Sequence, residues 1–165
     1  MGARGRHAAR VTLRPLVGLT QKATLSVSGS LIGTWRAVHY QTWDAQGRIS
    51  TPFGDPVSGY AVFDPTGHAF IQMMRTPPVP PFASANAPTS EEIRTAYSAF
   101  AAYYGTYRID DAARIVTIRV EGSNMPSYTG SDQVRPFHIE GDTLRLGIPS
   151  EYQATLVRVE TLIQK

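Results

Sequence analysis

Leu31-Ile32-Gly33-Thr34-Trp35-Arg36-Ala37-Val38-His39-Tyr40-Gln41-Thr42-Trp43-Asp44 narrows what this chain can fold into more than any other stretch. It reads as the first long strand of a closed β-barrel. A glycine, one residue and then a tryptophan at a strand's start is a packing device. The glycine lets the backbone bend tightly, and the large ring plugs the closed end of the barrel. Alternation places Gly33, Trp35, Ala37, His39 and Gln41 on one face and Thr34, Arg36, Val38, Tyr40 and Thr42 on the other. Neither face is uniformly apolar, as expected of a small barrel packed at its bottom and hollow towards its mouth.

The remaining text supports a turn-rich β protein. The chain has 165 residues, enough for one domain with a sizeable core, and its 12 prolines and 14 glycines suit strands and turns better than a helical bundle. It has no cysteine, which excludes disulfide scaffolds, thiolate nucleophiles and cysteine-based zinc sites. His7, His39, His68 and His138 are scattered without metal-ligand spacing, so no metal and no cofactor is expected. The formal charge of +3 is uneven: Arg4, Arg6, Arg10, Arg14 and Lys22 lie in residues 1–30 with no acid, leaving the body slightly acidic. Residues 1–30 therefore read as a basic, disordered N-terminal extension and residues 31–165 as the domain. A near-neutral body argues against nucleic acid as a partner. The tail's apolar runs are broken by Arg14-Pro15 and Gln21-Lys22, too short for a membrane span, and a cytoplasmic protein is expected. A targeting role for the basic tail stays open as the alternative.

Strands are expected over Ser58–Phe63 and His68–Arg75, joined by the tight Asp64-Pro65-Thr66-Gly67 connection. Pro77-Pro78-Val79-Pro80-Pro81 cannot continue a sheet. Thr89 and Glu92 then form a capping box, and Ile93, Ala96, Tyr97, Phe100, Ala101 and Tyr104 make one apolar stripe. The spacing predicts an amphipathic helix over 90–104, with Gly105 as its cap, lying against the barrel. Further strands are expected over Thr106–Asp110, Arg114–Glu121, Thr129–Ile139, Thr143–Leu146 and Ala154–Leu162. The fold class is therefore all-β: eight antiparallel strands, with one helix inserted after the third, the number that closes a barrel around one small ligand.

Several ordered motifs carry a family resemblance. They are Leu31-Ile32-Gly33-Thr34-Trp35, the run from Pro52 to Tyr60, Asp64-Pro65-Thr66-Gly67-His68 and Gln72-Met73-Met74-Arg75. Tyr104-Gly105-Thr106-Tyr107, Val120-Glu121-Gly122-Ser123 and the run from Gly130 to Arg135 complete the series. Over residues 31–160 the chain resembles the lipocalin-like domain proteins, relatives of the calycin barrels. The resemblance implies an eight-stranded calycin-type barrel with a mostly apolar cavity for a small hydrophobic molecule; some similar barrels in natural-product pathways are cofactor-independent cyclases. The chain departs from the family at Ile118 and Arg119, where members often carry two histidines. No role resting on those histidines transfers.

Arg135 is the most informative candidate site residue, because Gln133, Phe137 and Ile139 share its face. If that face lines the interior, the guanidinium needs an anionic or carbonyl partner, either a ligand or an internal ion pair with Glu121. His39, placed on Trp35's face, is a candidate base or donor to ligand. Tyr107 and Tyr60 are candidate phenolic donors, and Met73 belongs to an adaptable apolar rim with Met74 and Phe82. Arg158 is expected to stack on Trp35, closing the barrel together with Gly33. The expected function is binding of a small hydrophobic or aromatic molecule carrying an oxygen function. The alternative is a cofactor-independent cyclase or isomerase acting on a polyketide or terpenoid intermediate. The sequence leaves enzymatic turnover and oligomeric state open.

Overall fold

The computed structural model describes residues 30–160. The strands are β1 (Gly33–Trp43), β2 (Ile49–Ser50), β3 (Ser58–Phe63) and β4 (His68–Met74), followed by α1 (Ser90–Ser98). Then come β5 (Phe100–Asp110), β6 (Ile115–Ser123), β7 (Asp132–Glu140), β8 (Thr143–Leu146) and β9 (Tyr152–Arg158). The sheet runs in the order β2-β1-β3-β4-β5-β6-β7-β8-β9, and β1 also pairs with β9. All pairings are antiparallel. Eight strands thus close into a barrel, and the two-residue β2 is an extra strand on β1.

The closed end is built around Trp35, which is fully buried. Its indole N–H donates to the Leu31 carbonyl at 2.8 Å. Directly opposite on β9, the Arg158 guanidinium stacks over the ring with its carbon 4.0 Å from the centroid. Arg158 also donates to the carbonyls of Ile32, at 3.1 Å, and Ser30, tying the start of the described chain to its last strand. Gly33 adopts a φ of +135°, and a Cβ there would stand 3.0 Å from the Arg158 Nη1. Only glycine supplies that backbone shape while leaving room for the guanidinium. Phe63, Leu144, Leu156 and Ile118 are buried in the same core cluster as the indole.

The chain differs from the sequence expectation in two informative places. The predicted helix over 90–104 ends at Ser98, with Ala99 rather than Gly105 as its cap. The capping box at Thr89 and Glu92 is present, but Phe100 to Tyr104 belong to β5, paired from Met74↔Phe100 to His68↔Thr106. In that run Ala101, Tyr103, Gly105, Tyr107 and Ile109 also fit a period of two, so the sequence carried both patterns. Pairing with β4 supplies a ladder of hydrogen bonds that an isolated helical turn cannot match. Gly105 serves the sheet instead: a Cβ there would fall 1.9 Å from the Arg119 carbonyl oxygen, beside the bulge where β6 carries the extra residue Glu121. The shortened helix buries none of its residues, and Ile93 and Tyr97 remain half exposed.

The second difference is a bulge in β1. Ala37 pairs with Leu156 and His39 with Thr155, leaving Val38 as the extra residue. One inserted residue reverses the alternation beyond it. Trp35 and Ala37 face inward, but past Val38 the inward positions are Tyr40 and Thr42, opposite Ala154 and Tyr152. Smaller adjustments affect strand ends: β7 begins at Asp132, not Thr129, and β9 starts at Tyr152, while the expected extension to Leu162 lies outside the described residues, as does the basic tail.

Replacing Trp35 with alanine removes the largest fully buried side chain and strands Arg158. The expected loss of folding stability is ~3–5 kcal/mol, read from urea denaturation. Arg158→Met, which keeps much of the bulk, is expected to lose less, ~1–2 kcal/mol.

Candidate functional site

Between its closed end and its mouth the barrel holds a cavity of about 350 Å³. At the ~30 Å³ a water molecule occupies in the liquid, this is room for roughly a dozen waters or a ligand of similar size. Its apolar wall comes from Ile71 and Met73 on β4, Ala101 on β5, Leu146 on β8, Ala154 on β9, and Met125 from the loop after β6. The aromatic part comes from Tyr40, Phe53, Tyr103, Tyr128 and Tyr152. Phe53 meets Tyr40 edge-on at 5.3 Å, and Tyr103 meets Tyr128 edge-on at 5.6 Å. Thr42, Arg135 and Glu151 are the remaining polar members.

Arg135 is the centre of the polar side. On β7 it lies one alternation mouthward of Phe137, which is buried in the core. Its Nη1 donates to the Tyr152 hydroxyl at 2.8 Å and to the Val134 carbonyl at 3.2 Å. Its Nη2 donates to the Gln133 Oε1 at 2.6 Å, and the guanidinium lies 4.9 Å from the centroid of the Tyr152 ring. Among the described residues no carboxylate comes within ion-pairing distance of it; Glu121, the internal partner weighed from the sequence, is exposed on the outer face. Burial works against the guanidinium's charge, but the phenol oxygens of Tyr103 and Tyr152 outweigh burial and hold its pKa above the ordinary value. The positive charge is therefore permanent.

The phenols around it stay neutral. Burial pushes Tyr40 up to about 12, and also raises Tyr103 and Tyr152 despite the opposing pull of Arg135. The Tyr152 oxygen accepts a hydrogen from Arg135 and so keeps its own O–H available to another acceptor. A cation flanked by neutral hydroxyl donors, in a mostly apolar chamber, is an arrangement that receives an oxygen anion or a polarised carbonyl.

The structure distributes the other sequence candidates as follows. Met73 lines the same cavity as Arg135, and Gln133 touches the site through Arg135. Tyr107 sits towards the closed end, edge-on to Phe63 at 5.4 Å, with its hydroxyl donating to the Asp64 carbonyl at 2.8 Å. Tyr60 is half exposed on the outer face, opposite Arg36. His39 is outside as well, because the Val38 bulge turns it away from Trp35's face. Its Nδ1 lies 3.0 Å from Asp55 Oδ1 and its Nε2 lies 2.9 Å from Gln41 Oε1. These two acceptors, Asp55 first, raise its pKa. Sequence reasoning missed Tyr40, Tyr103, Tyr128, Tyr152 and Glu151. Tyr103 was readable from the two-residue alternation of β5, whereas Tyr40 required knowledge of the bulge. Among the described residues no three His, Asp or Glu side chains gather to hold a metal ion, and no helix is long and apolar enough to cross a membrane.

An antiparallel barrel packed at one end and hollow at the other defines the class of barrels that hold small ligands. The model of the lipocalin-like domain family matches residues 32–160, and the chain belongs to that family. No curated protein matches the sequence.

The His39–Asp55 contact gives a checkable pH dependence. A histidine whose folded pKa is raised contributes stability that is fully present below its unfolded value near 6.5 and is lost as pH rises through the higher folded value. In an NMR titration His39 is expected to titrate above 6.5, and Asp55→Asn to move it back down.

Proposed function

We propose that the barrel binds a small, largely apolar or aromatic molecule through an oxygen anion or polarised carbonyl held at Arg135. One observation carries this reading: a charged guanidinium lines a mostly apolar cavity and, among the described residues, is bonded to neutral oxygens. Confining such a charge without an anionic partner costs free energy that an incoming anion repays. Methionines Met73 and Met125 give the apolar wall latitude to fit different outlines. The partner is thus a small ligand rather than a macromolecule, since the chamber is enclosed by the strands.

A second reading, favoured by the hydroxyl donors beside Arg135, is cofactor-independent isomerisation or cyclisation. The same groups that receive a ground-state anion stabilise an enolate oxygen as charge develops, and the chamber folds a flexible substrate into a reactive shape.

Native mass spectrometry of protein purified from its host is expected to show a bound small acid, phenol or carbonyl compound. Arg135→Gln is expected to lower its affinity by about ten- to a hundredfold, the worth of a charge-assisted hydrogen bond. Retention of the same molecule at equal occupancy by the variant overturns the reading. Loss of binding with no altered product favours carriage over catalysis.

A further inference from the structure

Among the described residues, Arg135 has a counterpart of opposite sign, itself without an ion pair, in the lining of the same chamber. Glu151 lines the cavity from the turn between β8 and β9, and its side chain is exposed at the mouth end. Its backbone is fixed on both sides: its N–H donates to the Ile148 carbonyl at 3.0 Å, and its carbonyl accepts from the Trp43 N–H at 2.9 Å. The carboxylate forms no ion pair among the described residues, although Arg135 lines the same chamber. Glu151 is the immediate chain neighbour of Tyr152, whose hydroxyl Arg135 bonds, so both charges belong to the surroundings of one phenol. Two residues of opposite charge, Arg135 and Glu151, therefore line one cavity.

We propose that the ligand is dipolar, with its acidic oxygen at Arg135 and a protonated amine, or an equivalent N–H donor, at Glu151. This rests on the Arg135 reading above and narrows it to one substrate class: small aryl or alkyl acids bearing a basic nitrogen at the far end. A monopolar acid leaves the rim carboxylate beside its apolar tail, where nothing repays partial desolvation of that charge. A dipolar ligand satisfies both ends, while Ile71, Met73 and Leu146 cover its middle.

The test uses two acids of matched shape, para-ethylphenylacetate and para-(aminomethyl)phenylacetate, which differ in replacing a terminal methyl with an ammonium. Their affinities are measured by calorimetry on the full chain and on Glu151→Gln, Arg135→Gln and Arg135→Lys, each checked for folding by thermal melting. The ratio between the two acids within one protein is the readout, so any general change in the fold cancels. The wild type is expected to prefer the aminated acid by about two- to fivefold, as suits an ion pair at a solvent-exposed rim. Glu151→Gln is expected to bring the ratio to one or below. Absence of the preference in the wild type, or its survival in Glu151→Gln, overturns the dipolar inference while the Arg135 reading stands. Failure of both acids to bind the wild type, or equal binding by Arg135→Gln, overturns the Arg135 reading and the inference with it.

Discussion

Closure of β1 against β9 is the constraint on which the rest of the molecule depends. A sheet that ends in open edges has to hide them, whereas a sheet joined to itself has no unpaired edge and gains an inside. Here the seam is held at the bottom by the Trp35–Arg158 stack and by the carbonyls Arg158 gathers from Ser30 and Ile32. Because that end is filled solidly, the other can remain hollow. The core layer of Phe63, Ile118, Leu144 and Leu156 supplies the apolar burial that stabilises the fold. The mouth half is then free to carry groups, such as Arg135, that a packed interior would not tolerate.

The architecture was legible because its signals are local and repeated. Gly33-x-Trp35, the Asp64-Pro65-Thr66-Gly67 turn and the alternation of β3 and β4 each specify a strand or a turn without reference to distant residues. The site was less legible for a reason of the same physics. Which side chains enter a barrel depends on parity, and parity is carried along a strand only as far as the next bulge. Arg135 and Met73 lie on strands whose alternation runs unbroken, and both line the cavity. His39 lies just beyond Val38, and its orientation could not be read from β1 alone, because a bulge is defined by the partner strand.

The helix boundary follows the same division between local and long-range information. Thr89 and Glu92 encode the start of α1 within four residues, and that start is where they put it. Its end is set elsewhere, by the strand β4 presenting an unpaired edge to Phe100 and the residues after it. A stripe that satisfies the helical period and the strand period together is resolved by whichever partner is available. Tyr103 is the residue most affected: on a helix it would have been a surface side chain, but in β5 it is a buried phenol beside Arg135.

The inserted Val38 also fixes what kind of chemistry the chamber contains. In its absence the inward positions near the mouth would be His39 and Gln41; with it they are Tyr40 and Thr42. An imidazole in the wall would titrate near neutral pH and make the cavity's charge follow its surroundings. A phenol raised to about 12 does not, and Arg135 keeps its proton throughout. The chamber's inner electrostatics are therefore constant over the whole physiological range, while the His39 imidazole acts on the outside against Asp55. The inner wall therefore offers a fixed positive charge among neutral phenols, with no imidazole among the cavity's described lining residues to change its sign.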